Sequence, residues 1–128
     1  MRALKLGLLC VGLATGVMPG TGWADPAEHE YTKFVDTPQI VDSYPLQVNS
    51  WSVRDDGRML ELHFTAGTPE CFGVHATVLE TAETVEVRLR SGARPEAVAR
   101  ACIMIAVTGS LDVPLAEPLA GREVLTPF

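Results

Sequence analysis

The chain has 128 residues, 16 acidic and 10 basic side chains, and a formal net charge of −6. That length suits one domain and not two. An acidic surface repels phosphate backbones and anionic headgroups, which excludes nucleic acid as a partner and weakens the case for anionic lipid surfaces.

The first segment reads as an export signal. Arg2 and Lys5 form a positive start, residues 6–17 (LGLLCVGLATGV) an apolar stretch, and Pro19 and Gly20 a break. Gly22-Trp23-Ala24 then places small residues where a signal peptidase reads, so residues 1–24 are expected to be a signal peptide cleaved after Ala24. A spanning helix needs about 20 apolar residues, more than this Gly-rich run supplies. Cys10 lies inside the apolar stretch behind Leu9 rather than behind a small residue at its end, so it reads as filler and not as a lipid attachment site. Cleavage removes two bases and no acids, leaving a still more acidic chain. The expected location is secreted or cell-envelope, with no membrane span after cleavage. Two cysteines remain, Cys71 and Cys102, and in an oxidising compartment a disulfide between them is expected. It closes a loop of about 30 residues, worth on the order of 3–4 kcal/mol by chain entropy. A pair of free thiols is the alternative, and no Cys-x-x-Cys spacing suggests redox chemistry.

Residues 25–45 are acidic, contain three prolines and show no sustained period, which predicts an extended arm ending in a short strand at 39–42. Residues 46–128 are expected to form the folded domain. Segments 46–54 (LQVNSWSVR) and 59–65 (MLELHFT) flank Asp55-Asp56-Gly57-Arg58. Asp-Gly between alternating segments predicts a hairpin, because a type I′ turn needs positive φ at both central positions. With Asp56-Gly57 at the turn, Val53 faces Leu60, Trp51 faces Leu62 and Asn49 faces Phe64. Trp51, Leu60, Leu62 and Phe64 are then expected in the core, and Ser50, Ser52, Glu61, His63 and Thr65 on the other side. A second hairpin is predicted from 73–80 and 85–90, where Val85, Val87 and Leu89 alternate with Glu86, Arg88 and Arg90. A four-residue loop at 81–84 pairs Val78 with Val87 and Ala76 with Leu89, and leaves His75 outward opposite Arg90. Pro95 opens a turn or two of helix. Residues 102–108 (CIMIAVT) are nearly all apolar, which predicts a central strand buried on both faces and ended by Gly109. Residues 110–114 and 122–125 read as further short strands, with a turn at Leu119-Ala120-Gly121-Arg122.

The disulfide restricts topology. In a plain meander, two strand spacings would separate the segments that follow Cys71 and Cys102 by about 9.6 Å, beyond the roughly 7 Å a disulfide allows. The later strand must therefore cross beside the earlier one or lie on a facing sheet. The expected fold is an all-β, immunoglobulin-like β-sandwich of about 6–8 strands; a small barrel is the alternative.

No pattern of residues points to catalysis, a metal or a cofactor. His63 and His75 both project outward, yet no His-x-His or His-x₃-His pair offers the ligand set zinc needs. Asp55-Asp56-Gly57 lacks the rest of a calcium loop. Ser50 lies opposite His63 as an ordinary cross-strand pair, without a nucleophile elbow. Arg88 and Arg90, with His63 and His75, make a possible surface patch for an anionic ligand, the alternative being a solvated strand face. Residues 67–72, with Thr68, Pro69, Glu70 and Phe72 around Cys71, form a disulfide-anchored loop suited to interaction; equally, Phe72 caps the core.

Cys71…Gly73-Val74, residues 84–89 (TVEVRL), Ala101-Cys102-Ile103, residues 111–115 (LDVPL) and Pro118-Leu119-Ala120-Gly121-Arg122 together resemble a recurring domain of small secreted or lipid-anchored proteins of actinobacteria. The junction Ala24-Asp25-Pro26 is similar to export signals of that group. The resemblance covers roughly the last sixty residues, implies compartment and fold, and brings no known activity. The function expected is a non-catalytic binding module for an extracellular protein or cell-wall component. A secreted enzyme inhibitor presenting residues 67–72, and a structural envelope domain, are the alternatives.

Overall fold

The computed structural model describes residues 30–128; the signal segment, Cys10 and His29 lie outside the described residues. Eight strands follow in chain order: β1 (Thr32–Phe34), β2 (Val41–Pro45), β3 (Ser50–Arg54), β4 (Met59–Ala66), β5 (Phe72–Glu80), β6 (Thr84–Ala93), β7 (Val107–Pro114) and β8 (Glu123–Leu125). They form two sheets. The first has the order β1-β7-β4-β3; the second has β2-β6-β5, with β8 also beside β6. The fold is a small β-sandwich whose core joins Phe34, Leu60, Leu62, Phe64 and Leu111 of the first sheet to Val74, Val85, Val87 and Leu89 of the second.

Both hairpins have the registers expected from turn chemistry and alternation. Trp51 pairs with Leu62 and Val53 with Leu60; Val78 pairs with Val87, Ala76 with Leu89 and His75 with Arg90. At the first turn Asp56 and Gly57 have φ of 56° and 85°, and Asp55 joins them at 55°. Aspartate tolerates this left-handed region better than most residues, and Gly57 meets no penalty there. The register slips at the other end, where the Asn49 N–H donates to the His63 carbonyl at 2.8 Å.

Cys71 and Cys102 are bonded, with Cα atoms 6.1 Å apart. Cys71 precedes β5 of one sheet and Cys102 leads toward β7 of the other, so the facing-sheet solution holds.

The expected strand at 102–108 is not there. The strand is β7, eight residues from Val107 to Pro114, and it runs through Gly109 rather than ending at it. Gly109 sits under the edge-to-face pair Phe34–Phe64, whose ring centroids are 5.3 Å apart. A Cβ at this position would lie 2.6 Å from a Phe34 ring carbon and 2.7 Å from one of Phe64. Trp51 also departs from expectation. It faces the inner side of the sheet but is 40 % exposed, because β3 is an edge strand whose inner face is incompletely covered. The helix expected after Pro95 is a single 3-10 turn, Pro95–Ala97.

The segment read as an arm supplies β1 to the first sheet and β2 to the second. Between them it crosses the outer face of the second sheet over the paired glycines Gly73 and Gly92. A Cβ on Gly73 would come within 2.8 Å of Ile40, and one on Gly92 within 2.7 Å of the Val41 carbonyl oxygen.

Candidate functional site

The residues singled out in the sequence fall in three places. On the outer face of the first sheet, β3 and β4 set Ser50 opposite His63. The Ser50 hydroxyl is 3.0 Å from His63 Nδ1, and Glu61, two residues away on the same face, places a carboxylate oxygen 3.0 Å from Nε2. The Tyr31 ring stacks on the imidazole, with centroids 4.2 Å apart. His63 is buried, not a solvated surface histidine, because β1 brings the segment carrying Tyr31 across the sheet. In the neutral ring with Nε2 protonated, Glu61 accepts from Nε2 and Nδ1 is left to accept the Ser50 proton. The order serine, imidazole, carboxylate is therefore present. Both ring nitrogens are pinned and one ring face is covered, so the group also ties β1, β4 and β3 together.

Glu61 continues into a charge cluster. Lys33 Nζ reaches Glu61 at 3.3 Å and Asp112 at 3.2 Å, and Arg54 bonds Asp112 and lies 3.6 Å from Glu61. The His63 hydrogen bond, with help from Lys33, holds the Glu61 carboxyl below the usual carboxylate range. Burial alone would raise Asp112, but its hydrogen bonds from Arg54 and Lys33 outweigh that and lower it.

The second place is the outer face of the second sheet, which carries His75, Arg88 and Arg90 on β5 and β6. The expected patch divides here: His63 belongs to the other sheet and cannot join it. The three that remain are already engaged. His75 Nδ1 lies 2.9 Å from the Asp36 carboxylate, Arg88 bonds Glu86 at 3.0 Å, and Arg90 donates to the Ser43 hydroxyl and carbonyl oxygens at 2.9 and 2.8 Å. Among the described residues no cluster of three or more histidine, cysteine or acidic side chains is placed to hold a metal.

The third place is the disulfide end. The N–H groups of Cys71 and Phe72 both donate to the Thr68 carbonyl, at 3.2 and 2.9 Å, closing residues 68–72 into a tight turn. Two arginines hold the turn from outside: Arg94 donates to the Pro69 carbonyl and Arg100 to that of Glu70, each at 3.0 Å. Phe72 is half-buried, with its ring against Gly67, where a Cβ would approach it to 2.3 Å. Beyond Cys102 the chain displays Ile103, Met104 and Ile105, which are 66, 85 and 54 % exposed. Met104 and Ile105, with Tyr44, Ala66, Gly67 and Phe72, line a recess of about 400 Å³. Sequence reading found the turn and missed the apolar run, having assigned it to a buried strand. The available signal was periodicity. Ser110, Leu111, Asp112 and Val113 alternate as a strand should, whereas residues 103–106 do not.

The Pro118-to-Arg122 motif has a structural explanation. Arg122 donates to the carbonyls of Thr81, Glu117, Pro118 and Leu119 at 3.0–3.2 Å, and to Glu80 at 3.1 Å. Glu80 in turn accepts from the Ala116 N–H at 2.7 Å and from that of Glu117 at 3.3 Å. The Ala116 bond chiefly lowers the Glu80 pKa.

No protein-family model, curated protein or solved structure matches the chain.

Proposed function

We propose that the protein is a secreted or cell-envelope, non-catalytic binding module that meets an extracellular partner protein through its disulfide end. The observation that carries this reading is the exposed run Ile103-Met104-Ile105, held by Cys71–Cys102 beside an apolar recess. Contiguous exposed apolar surface on a small soluble domain marks a contact site. A covalent anchor limits the ordering cost of using it. An apolar recess suits the side chains of a partner protein better than a cell-wall polysaccharide. Residues 67–72 form one wall of this surface; with Phe72 lying on Gly67, a projecting inhibitory loop is the less favoured use of the same end.

The disulfide and the features of residues 1–24 support export. Among the described residues no helix is long and apolar enough to cross a membrane. The scaffold is of immunoglobulin-like kind, with loops gathered at the ends of two sheets. We group it with the actinobacterial domains that its C-terminal motifs resemble. The non-catalytic reading is supported by the Ser50–His63–Glu61 group being pinned into the sheet, both ring nitrogens engaged, beside a recess of only about 180 Å³ that Tyr31, Ser50, His63 and Thr108 line.

A photo-crosslinking residue at Met104, offered secreted and envelope fractions, should give a discrete adduct that is lost in Ile105→Asp. The same adduct from a residue placed at Glu123, or its survival in Ile105→Asp, would overturn the assignment.

A further inference from the structure

An edge strand offers unpaired N–H and C=O groups to any passing strand, and soluble proteins protect such edges. Among the described residues, four of the five edge strands are protected. β1 and β8 are three residues long. β2 has a broken register, a positive φ at Asp42 and Pro45 at its end. On β5 the Thr37 N–H bonds the Val74 carbonyl at 2.8 Å, and the Asp36 carboxylate takes the Ala76 N–H at 3.0 Å. Within Ser50–Arg54, β3 has none of these devices; the register slip at Asn49 and the positive φ of Asp55 lie just outside it. It contains no proline and no inward charge, and its two inward side chains, Trp51 and Val53, are 40 and 38 % exposed.

The direction of its backbone groups follows from alternation. The Leu115 N–H donates to the Arg58 carbonyl, so Arg58 faces β7. Alternate residues then turn the other way, and Met59, Glu61 and His63 face β3, meeting Arg54, Ser52 and Ser50. The peptide groups of Trp51 and Val53 are left facing the open edge.

We propose that β3 pairs with β3 of a second copy of this chain, antiparallel about a two-fold axis through Ser52. In that register the outward peptide groups of Trp51 meet those of Val53 on the second copy, and the converse. The same pairing sets each Trp51 ring across from a valine, an aromatic–β-branched pair that favours strand association. Ser52 meets Ser52 and Ser50 meets Arg54, so no like charges are opposed along the strand. Centring the axis on Val53 instead would set Trp51 against Asp55. The result joins two four-stranded sheets into one and covers both exposed apolar rims. The contact is isologous and closed, so it stops at the dimer. Each copy carries a net negative charge, so salt should strengthen the association by screening their repulsion.

Sedimentation velocity on the purified protein, from micromolar to millimolar concentration, tests this. A monomer–dimer equilibrium is expected, shifting toward dimer as salt is raised. Val53→Pro removes an outward N–H that β4 does not use, and should weaken dimerisation by roughly tenfold or more. Val53→Lys should act in the same direction and serves if the proline variant fails to fold. Met104→Lys should leave the equilibrium unchanged. Hydrogen exchange at the Trp51 and Val53 amides should slow with concentration while that at Ser52 does not. A monomer at every concentration, or a dimer insensitive to both Val53 variants or lost in Met104→Lys, would overturn the proposal.

Discussion

At the scale of single residues, the positions that sequence and structure read alike are those whose role is local. Asp56 and Gly57 turn the first hairpin because their own backbone preferences allow it, and no distant group is needed. Gly109 is the opposite case. In isolation a glycine after an apolar run reads as a strand end. Its role comes from Phe34 and Phe64, 75 and 45 positions earlier in the chain, whose rings occupy the space a side chain would need. Gly109→Ala should therefore destabilise the protein by about 1–3 kcal/mol through overpacking, read from urea denaturation midpoints at unchanged slope. A change within about 0.5 kcal/mol, the range of ordinary surface substitutions, would mean that the two rings can move apart freely.

At the scale of elements, the contrast between residues 102–106 and β7 is the informative one. Apolar content alone placed the strand too early; alternation of Leu111 and Val113 with Ser110 and Asp112 marks where it lies. Residues 102–106 belong to no strand, and the covalent bond to Cys71 ties them to the loop that precedes β5. Replacing both cysteines by serine should cost about 3–4 kcal/mol, as expected for releasing a loop of this size. It should also raise protease sensitivity near Met104 while the β4 amides stay protected from exchange. Cleavage near Met104 at the parent rate would show that the segment is held by packing and not by the bond.

At the scale of the whole molecule, charges tie strands that hydrogen-bond ladders alone leave separate. Lys33, Glu61, Asp112 and Arg54 come from β1, β4, β7 and β3, one from each strand of the first sheet. Glu80 and Arg122 fasten the loop at 115–122 to the second sheet. The carboxyls of Glu61, Glu80 and Asp112 are all lowered in the folded state. A depressed carboxyl stabilises the fold above its unfolded pKa, and that contribution is lost as pH falls through the folded value. Thermal midpoints should thus fall as pH drops below about 4, the unfolded range for these groups. Glu80→Gln should flatten that acid slope. An unchanged slope in the variant would remove Glu80 from the account.

The chain's own letters determined the class of fold, both hairpin registers, the cysteine pairing and the turn before Arg122. Each of these depends on neighbours in sequence or on simple reach. Tertiary structure decided the rest: that β1 carries Tyr31 onto His63, that His63 and His75 part to opposite faces, that Trp51 lies at an open rim and that Ile103 to Ile105 face solvent. Those outcomes depend on which sheet a strand joins and what then covers it. Burial is a property of the assembled layers, and an apolar side chain in a sequence carries no record of which surface it will meet.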